Sequence, residues 1–231
     1  LFIIFFVYHY LKKVSFKDLI ILLLFCFISS IPAFYYIFIL DVNFLLAGTP
    51  GKDIGSSVSL GFNFSDKVLI ISSILFFHLI PFLLNREFIL NFTKLPKNEF
   101  LIISIFFIIN LFFFDYSINY TGGGVFFQLS NFFFNNNYFF YFISFVSLML
   151  LINLSKNNIN NFLIFFLLIL SNVQNTIYHK YYDPLVLILF FTLINNPLSY
   201  KFFENKSNIY FVYIFYLIYL SIRIVKNNYL S

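Results

Sequence analysis

Apolar and polar positions follow one another along this chain in blocks. Seven apolar segments stand out, at 19–40, 68–84, 100–114, 138–154, 162–177, 184–196 and 209–225. A helix needs about 20 apolar residues to cross a bilayer, with ~17 as a practical minimum. Several segments sit at or below that limit. The 162–177 and 184–196 pair fits either two spans or a shallow hairpin. Pro32 and Pro81 fall inside apolar segments, where they kink a membrane helix whose neighbours satisfy the freed carbonyl. The chain opens on LFIIFF with no Met and no basic region before it, which reads as the cut end of a further membrane helix. The pattern therefore predicts an all-α, polytopic transmembrane helix bundle of about seven spans plus a truncated one at the N-terminus. It forms a single membrane domain over 1–231, expected to be the C-terminal part of a longer chain.

Composition supports the membrane. Hydrophobic residues make up 61% of the 231 positions and charged residues 10%, against about 25% charged in soluble domains. That is too little polar surface for a soluble shell. The 40 Phe and 17 Tyr accompany an excess of Ile, Asn and Lys, the joint signature of AT-rich coding. Aromatic richness alone therefore argues neither for a cofactor box nor for a nucleic-acid surface, and no cofactor or nucleic-acid partner is expected. The single cysteine, Cys26, has no internal partner for a disulfide.

Alternating the loops gives an orientation. The segments 12–18, 85–99, 155–161 and 197–208 hold nine Lys and Arg residues, and the opposite set with the tail holds five. The positive-inside rule puts the first set in the cytoplasm. The loops 41–67, 115–137 and 173–183 then share the non-cytoplasmic side of an integral, multi-pass membrane protein. These are also the three unusual loops, so one site built from them is expected.

Loop 41–67 contains GTPGKDIG. Its spacing is not that of a nucleotide-binding P-loop, but Lys52 among free backbone amides suits a phosphate oxygen. Loop 115–137 carries Gly122–Gly124, which require a turn or a close backbone approach. It continues as VFFQLSNFFF, an amphipathic piece suited to the interface. Gln128 is its one group with recognition chemistry. The late loop, within SNVQNTIYHKYYDPL, gathers Gln174, Tyr178, His179, Lys180, Tyr181 and Asp183 ahead of Pro184. Tyr and Lys anchor spans at interfaces routinely, yet this set is more varied than an anchor needs. Lys180 and Asp183 stand three apart and suit an ion pair on a helix. His9 and His78 lie isolated in apolar runs, where packing is the simpler role. With no HxxxH, CxxC or clustered carboxylates, no metal site is expected.

Lys180–Tyr181, followed by Pro184 and an apolar run, resembles the late loop of membrane glycosyltransferases of the GT-C type. With Gln174 six residues before Lys180, it is similar to the dolichyl-phosphoglucose-dependent α-1,2-glucosyltransferase family. The stretch LLAGTPGKDIGSSVSLGFNFSDKVLII looks like that family's middle loop. Ser57 stands where the family carries a His, and Tyr178 where it carries an acidic residue. The likeness covers about a dozen and about two dozen residues of the chain. It implies transfer of a sugar from a polyprenyl-phosphate donor to a lipid-linked or glycan acceptor on the non-cytoplasmic face. Lys52 and Lys180 would contact the donor phosphate. Gln174, Tyr178, His179 and Tyr181 would shape the sugar pocket, and the catalytic base would lie before Leu1. The lipid bilayer, that donor and that acceptor are the expected partners. A transporter or flippase of lipid-linked sugars, an O-antigen-type polymerase and a plain membrane scaffold are the alternative readings. The transporter predicts broken helices and paired charges inside the bundle.

Overall fold

The structure is a computed structural model, and it describes residues 15–39, 63–83, 96–117, 122–156, 158–172, 176–194 and 206–229. Eight α-helices run through these residues: α1 (Phe16–Phe38), α2 (Phe64–Leu83), α3 (Lys97–Phe112), α4 (Gly124–Phe134), α5 (Tyr138–Ser155), α6 (Ile159–Ser171), α7 (Asp183–Thr192) and α8 (Lys206–Tyr229). A 3₁₀ turn, His179–Tyr181, precedes α7. Among the described residues there is no strand, and their regular structure is all-helical. Each of the seven apolar segments contains a helix. Among the described residues, three helices are long and apolar enough to cross a membrane: Phe64–Leu83, Tyr138–Ser155 and Lys206–Ile224.

The chain divides into two compact units, Leu1–Phe62 with Val173–Thr176, and Asn63–Asn172 with Ile177–Ser231. In the first, α1 begins at Ser15, whose Oγ accepts the Asp18 amide at 3.2 Å and donates to the Asp18 carboxylate at 2.9 Å. This satisfies an amide the first turn would leave unpaired. Further along, the Ser29 and Ser30 hydroxyls donate to the Phe25 and Phe27 carbonyls, one turn before the helix-breaking Pro32.

The second unit is built around α2. Val68, Leu69, Ile70, Ile71, Ile74 and Leu75 are all buried, so this helix is enclosed on every side, as expected of a helix apolar all round. It starts four residues earlier than the apolar run because Asn63 caps it: its Oδ1 accepts the Ser65 and Asp66 amides at 3.1 and 3.4 Å. Asp66 and Lys67, which the sequence pattern gives to the preceding loop, are therefore in the first helical turn and buried. The Asp66 carboxylate accepts the Asp115 amide at 2.9 Å, and Asn63 donates to the Phe113 carbonyl at 3.4 Å. The start of α2 is thus fastened to the end of α3.

Helix α5 packs closely along α2 because it offers serine there. The Ser144 hydroxyl donates to the Leu69 carbonyl at 3.1 Å, and Ser147 donates to the Ser72 carbonyl. Both serines are fully buried. Small residues let apolar helices approach, and their hydroxyls then bond across the contact. The paired positions rise together along both helices, so α2 and α5 run parallel. Helix α4 is the amphipathic piece expected after the glycines, held to α5 by Ser130, whose hydroxyl donates to the Asn136 carbonyl at 2.7 Å and accepts the Phe140 amide at 3.2 Å. Large apolar side chains on α3 and α8, among them Ile102, Ile108, Tyr213 and Leu217, are more than half exposed. Such a surface suits lipid.

Candidate functional site

The glycine loop and the late loop meet. The Gly123 amide donates to the Ile177 carbonyl at 2.9 Å, and the Ile177 amide donates to the Tyr116 hydroxyl at 3.2 Å. Gly122 (φ +132°) and Gly124 (φ +78°) hold backbone angles that side chains rarely adopt. A Cβ on Gly122 would stand 2.7 Å from the Ile177 carbonyl oxygen, and one on Gly124 2.8 Å from Ile74 Cγ1. Gln128 spends its amide on this turn, donating to the Gly122 carbonyl at 2.6 Å. It is a structural group here.

Beyond Ile177 the backbone closes a 3₁₀ turn, with Tyr182 N–H bonded to the His179 carbonyl at 2.9 Å, and enters α7. Asp183 and Pro184 occupy the first turn of α7. An acidic residue and a proline both favour a helix N-terminus. The turn has two faces. Lys180 and Tyr181 are exposed, and the Lys180 ammonium stands 5.0 and 5.5 Å from the ring centroids of Tyr178 and Tyr181, within cation–π reach. His179 and Asp183, one helical turn apart, face inward.

What they meet there is His78. Its Nε2 lies 3.2 Å from Asp183 Oδ1, and His179 Nε2 lies 3.0 Å from the same oxygen. The two imidazole rings are 4.9 Å apart between centroids. The His78 side chain is fully buried, that of His179 is 10% exposed, and that of Asp183 is 27% exposed. These short separations lie outside hydrogen-bonding geometry: His78 Nε2, both ring nitrogens of His179 and Asp183 Oδ1 have no hydrogen-bond partner. His78 Nδ1 is bonded to the Tyr216 hydroxyl at 2.7 Å. On α8, Tyr216, Tyr219 and Arg223 recur at helical spacing and share one face. The Tyr219 ring lies 5.6 Å from that of His179, and an Arg223 nitrogen reaches 4.0 Å from Asp183 Oδ2.

Burial alone would raise the Asp183 carboxyl, but the neighbouring imidazoles of His179 and His78 outweigh it and hold the group below the usual carboxylate range. Asp183 is an anion at neutral pH, suited to hold a cation. One ligand atom from each of His78, His179 and Asp183 lies within 4.8 Å of the others.

The sequence-derived residues divide accordingly. His179 and Asp183 join the cluster, while Lys180 and Tyr181 border it on the exposed face. Asp183 faces the histidines and Arg223, while the Lys180 ammonium rests over tyrosine rings; the i,i+3 pairing expected of them gives way to the i,i+4 contact with His179. Lys52 and Gln174 lie outside the described residues, as does most of loop 41–67. Sequence reasoning gave His78 a packing role and passed over Tyr216, Tyr219 and Arg223 as site residues. Their signals were an ionisable residue inside an apolar helix and the i, i+3, i+7 spacing on α8.

The chain matches no known protein family, no curated protein and no solved structure.

Proposed function

We propose that the protein is a multi-pass membrane transferase that binds a polyprenyl-phosphate sugar donor at the turn between Tyr178 and Asp183. The observation that carries this reading is the two-sided turn. Lys180 presents a cation outward on a short 3₁₀ turn, and the flanking His179 and Asp183 form a polar cluster just behind it. A lipid-linked phosphate needs a cation at an apolar surface, and charge-assisted contacts are the strong ones. The resemblance to GT-C glycosyltransferases supplies the reaction. The sugar C1–phosphate oxygen bond breaks, the acceptor hydroxyl oxygen bonds to C1 and gives its proton to water, and polyprenyl phosphate leaves with its charge held by Lys180. This reading assigns donor binding and no catalytic base. Seven spans and the non-cytoplasmic placement of 41–67, 115–137 and 173–183 belong to the same proposal. A helix within every apolar segment and the nine-to-five division of basic residues support them.

A second reading, a transporter of lipid-linked sugars, is favoured by the place of His78. It sits about one and a half turns before the end of α2, within the length of a candidate span and not at its edge. Ionisable groups inside a membrane bundle mark transport paths as readily as active sites.

The test is binding of polyprenyl phosphate and of the matching polyprenol to the protein in nanodiscs. The phosphate is expected to bind tighter, and Lys180→Ala to weaken it roughly tenfold, from the ~1.5 kcal/mol of a hydrogen bond to a charged group. Equal binding of phosphate and alcohol, or no effect of Lys180→Ala, sinks the transferase reading. With donor labelled in the sugar, label passing to an acceptor marks the transferase. Label crossing sealed vesicles still on its lipid marks the transporter.

A further inference from the structure

From the convergence of His78, His179 and Asp183 we infer a divalent metal site, formed by the two imidazoles and the carboxylate, that takes zinc or a similar first-row ion. Three observations carry it independently of the substrate reading above.

The first is donor geometry. His78 Nε2 and His179 Nε2 stand 3.2 and 3.0 Å from Asp183 Oδ1. Two ligands of a tetrahedral zinc ion with bonds of about 2.0–2.1 Å are roughly 3.3 Å apart. Each imidazole nitrogen is already at the separation from Asp183 Oδ1 that a shared ion sets, and the three ligand atoms lie within 4.8 Å of one another.

The second is the unmet bonding capacity of a buried group. The His78 side chain has no exposure, yet its Nε2 has no hydrogen-bond partner, and neither has Asp183 Oδ1. Buried polar atoms in native proteins are nearly always satisfied. An ion between these atoms would satisfy all of them together.

The third is the outer contact of His78. Metal-bound histidines donate their other ring N–H to an oxygen, which fixes the tautomer. With its proton on Nδ1, His78 donates to the Tyr216 hydroxyl, 2.7 Å away. The Nε2 lone pair then faces Asp183. Arg223 lies 4.0 Å from Oδ2, leaving Oδ1 to the ion.

The donor set selects the ion. Two imidazoles and one carboxylate suit zinc and its first-row neighbours, whereas magnesium and calcium prefer oxygen alone. Three protein ligands leave further positions open, as in catalytic zinc sites.

The test uses the whole chain, purified in detergent without a histidine tag and dialysed against chelator. Zinc is titrated in and counted per chain, and cobalt(II) reports geometry through its visible absorption. About one zinc per chain is expected. Replacing any ligand (His78→Gln, His179→Gln or Asp183→Asn) lowers occupancy at least tenfold. Tyr216→Phe weakens affinity about 10- to 100-fold, as removal of an outer partner does. The remaining histidine and cysteine serve as the control: His9→Gln with Cys26→Ser keeps full occupancy. Where a ligand variant fails to fold, X-ray absorption of the zinc-loaded natural chain shows a shell containing two imidazoles. Occupancy well below one per chain overturns the proposal. So does occupancy indifferent to the ligand variants, or a shell without imidazole.

Discussion

The Nε2 atom of His78 stands 3.2 Å from Asp183 Oδ1, joining the enclosed helix α2 to the turn that begins α7. Deleting one partner of a buried charged contact is costly because the other is left unmet, whereas replacing both partners by apolar groups of similar size is often neutral. His78→Leu leaves the Asp183 carboxylate and the Tyr216 hydroxyl unmet and is accordingly expected to cost about 1–3 kcal/mol of stability in detergent while abolishing binding at the site. Asp183→Ala leaves two imidazoles facing nothing and is expected to cost about 1–3 kcal/mol. Melting curves with a parallel metal-binding assay check both variants. A His78→Leu variant that loses stability but keeps zinc binding would make His78 a packing residue.

The glycine turn gives a second prediction. Gly122→Ala forces a side chain against the Ile177 carbonyl, a backbone atom that cannot swing away, at a φ of +132°. Gly124→Ala meets a side chain instead, Ile74 Cγ1 at 2.8 Å, at a φ of +78°. Backbone strain alone is of order 1–3 kcal/mol at such positions. Both variants should lower the midpoint of chemical unfolding, Gly122→Ala more. Equal and negligible shifts would mean that the two loops do not meet as described.

The contact between α2 and α5 is sensitive to size more than to hydrogen bonding. Ser147→Ala removes one interhelical bond and is expected to cost about 0.6 kcal/mol. Ser147→Leu inserts a large side chain into a filled contact and is expected to cost about 1–3 kcal/mol or more. The ordering of the two, read from unfolding in mixed micelles, is the check.

By contrast, the ion pair between Lys156 and Glu99, 3.0 Å apart with both side chains about a third exposed, should matter little. Exposed pairs contribute roughly 0–1 kcal/mol. Lys156→Ala is expected to leave the melting temperature within about a degree or two, and a large drop would mean that this end of α5 is dry.

The helices were legible because a long continuous apolar run suits a buried or lipid-facing helix, and each of the seven runs contains a helix. Their ends were less so. The start of α2 moved to Phe64 because Asn63 caps a turn containing Asp66 and Lys67, charges that sequence logic gives to a loop. The late turn was legible as a polar island, including His179 and Asp183. Its partner was not. His78 sits alone in an apolar run, and nothing local says which distant group it faces. The Gly122–Gly124 motif announced a close backbone approach, and only the fold shows that the backbone approached is Ile177. Gln128 looked like a recognition group for the same reason: its use in the turn depends on the glycine carbonyl that the fold brings to it.

The most direct test of the central claim measures the histidine–aspartate separations in lipid. Histidine ring ¹⁵N signals are recorded by solid-state NMR with dephasing from aspartate ¹³Cγ, with His9→Gln used to remove the third histidine. The account predicts strong dephasing of both His78 and His179, corresponding to contacts with the one carboxylate 3.2 and 3.0 Å away, and its loss in Asp183→Asn. Rings that show no dephasing, or dephasing that survives Asp183→Asn, would contradict the site described.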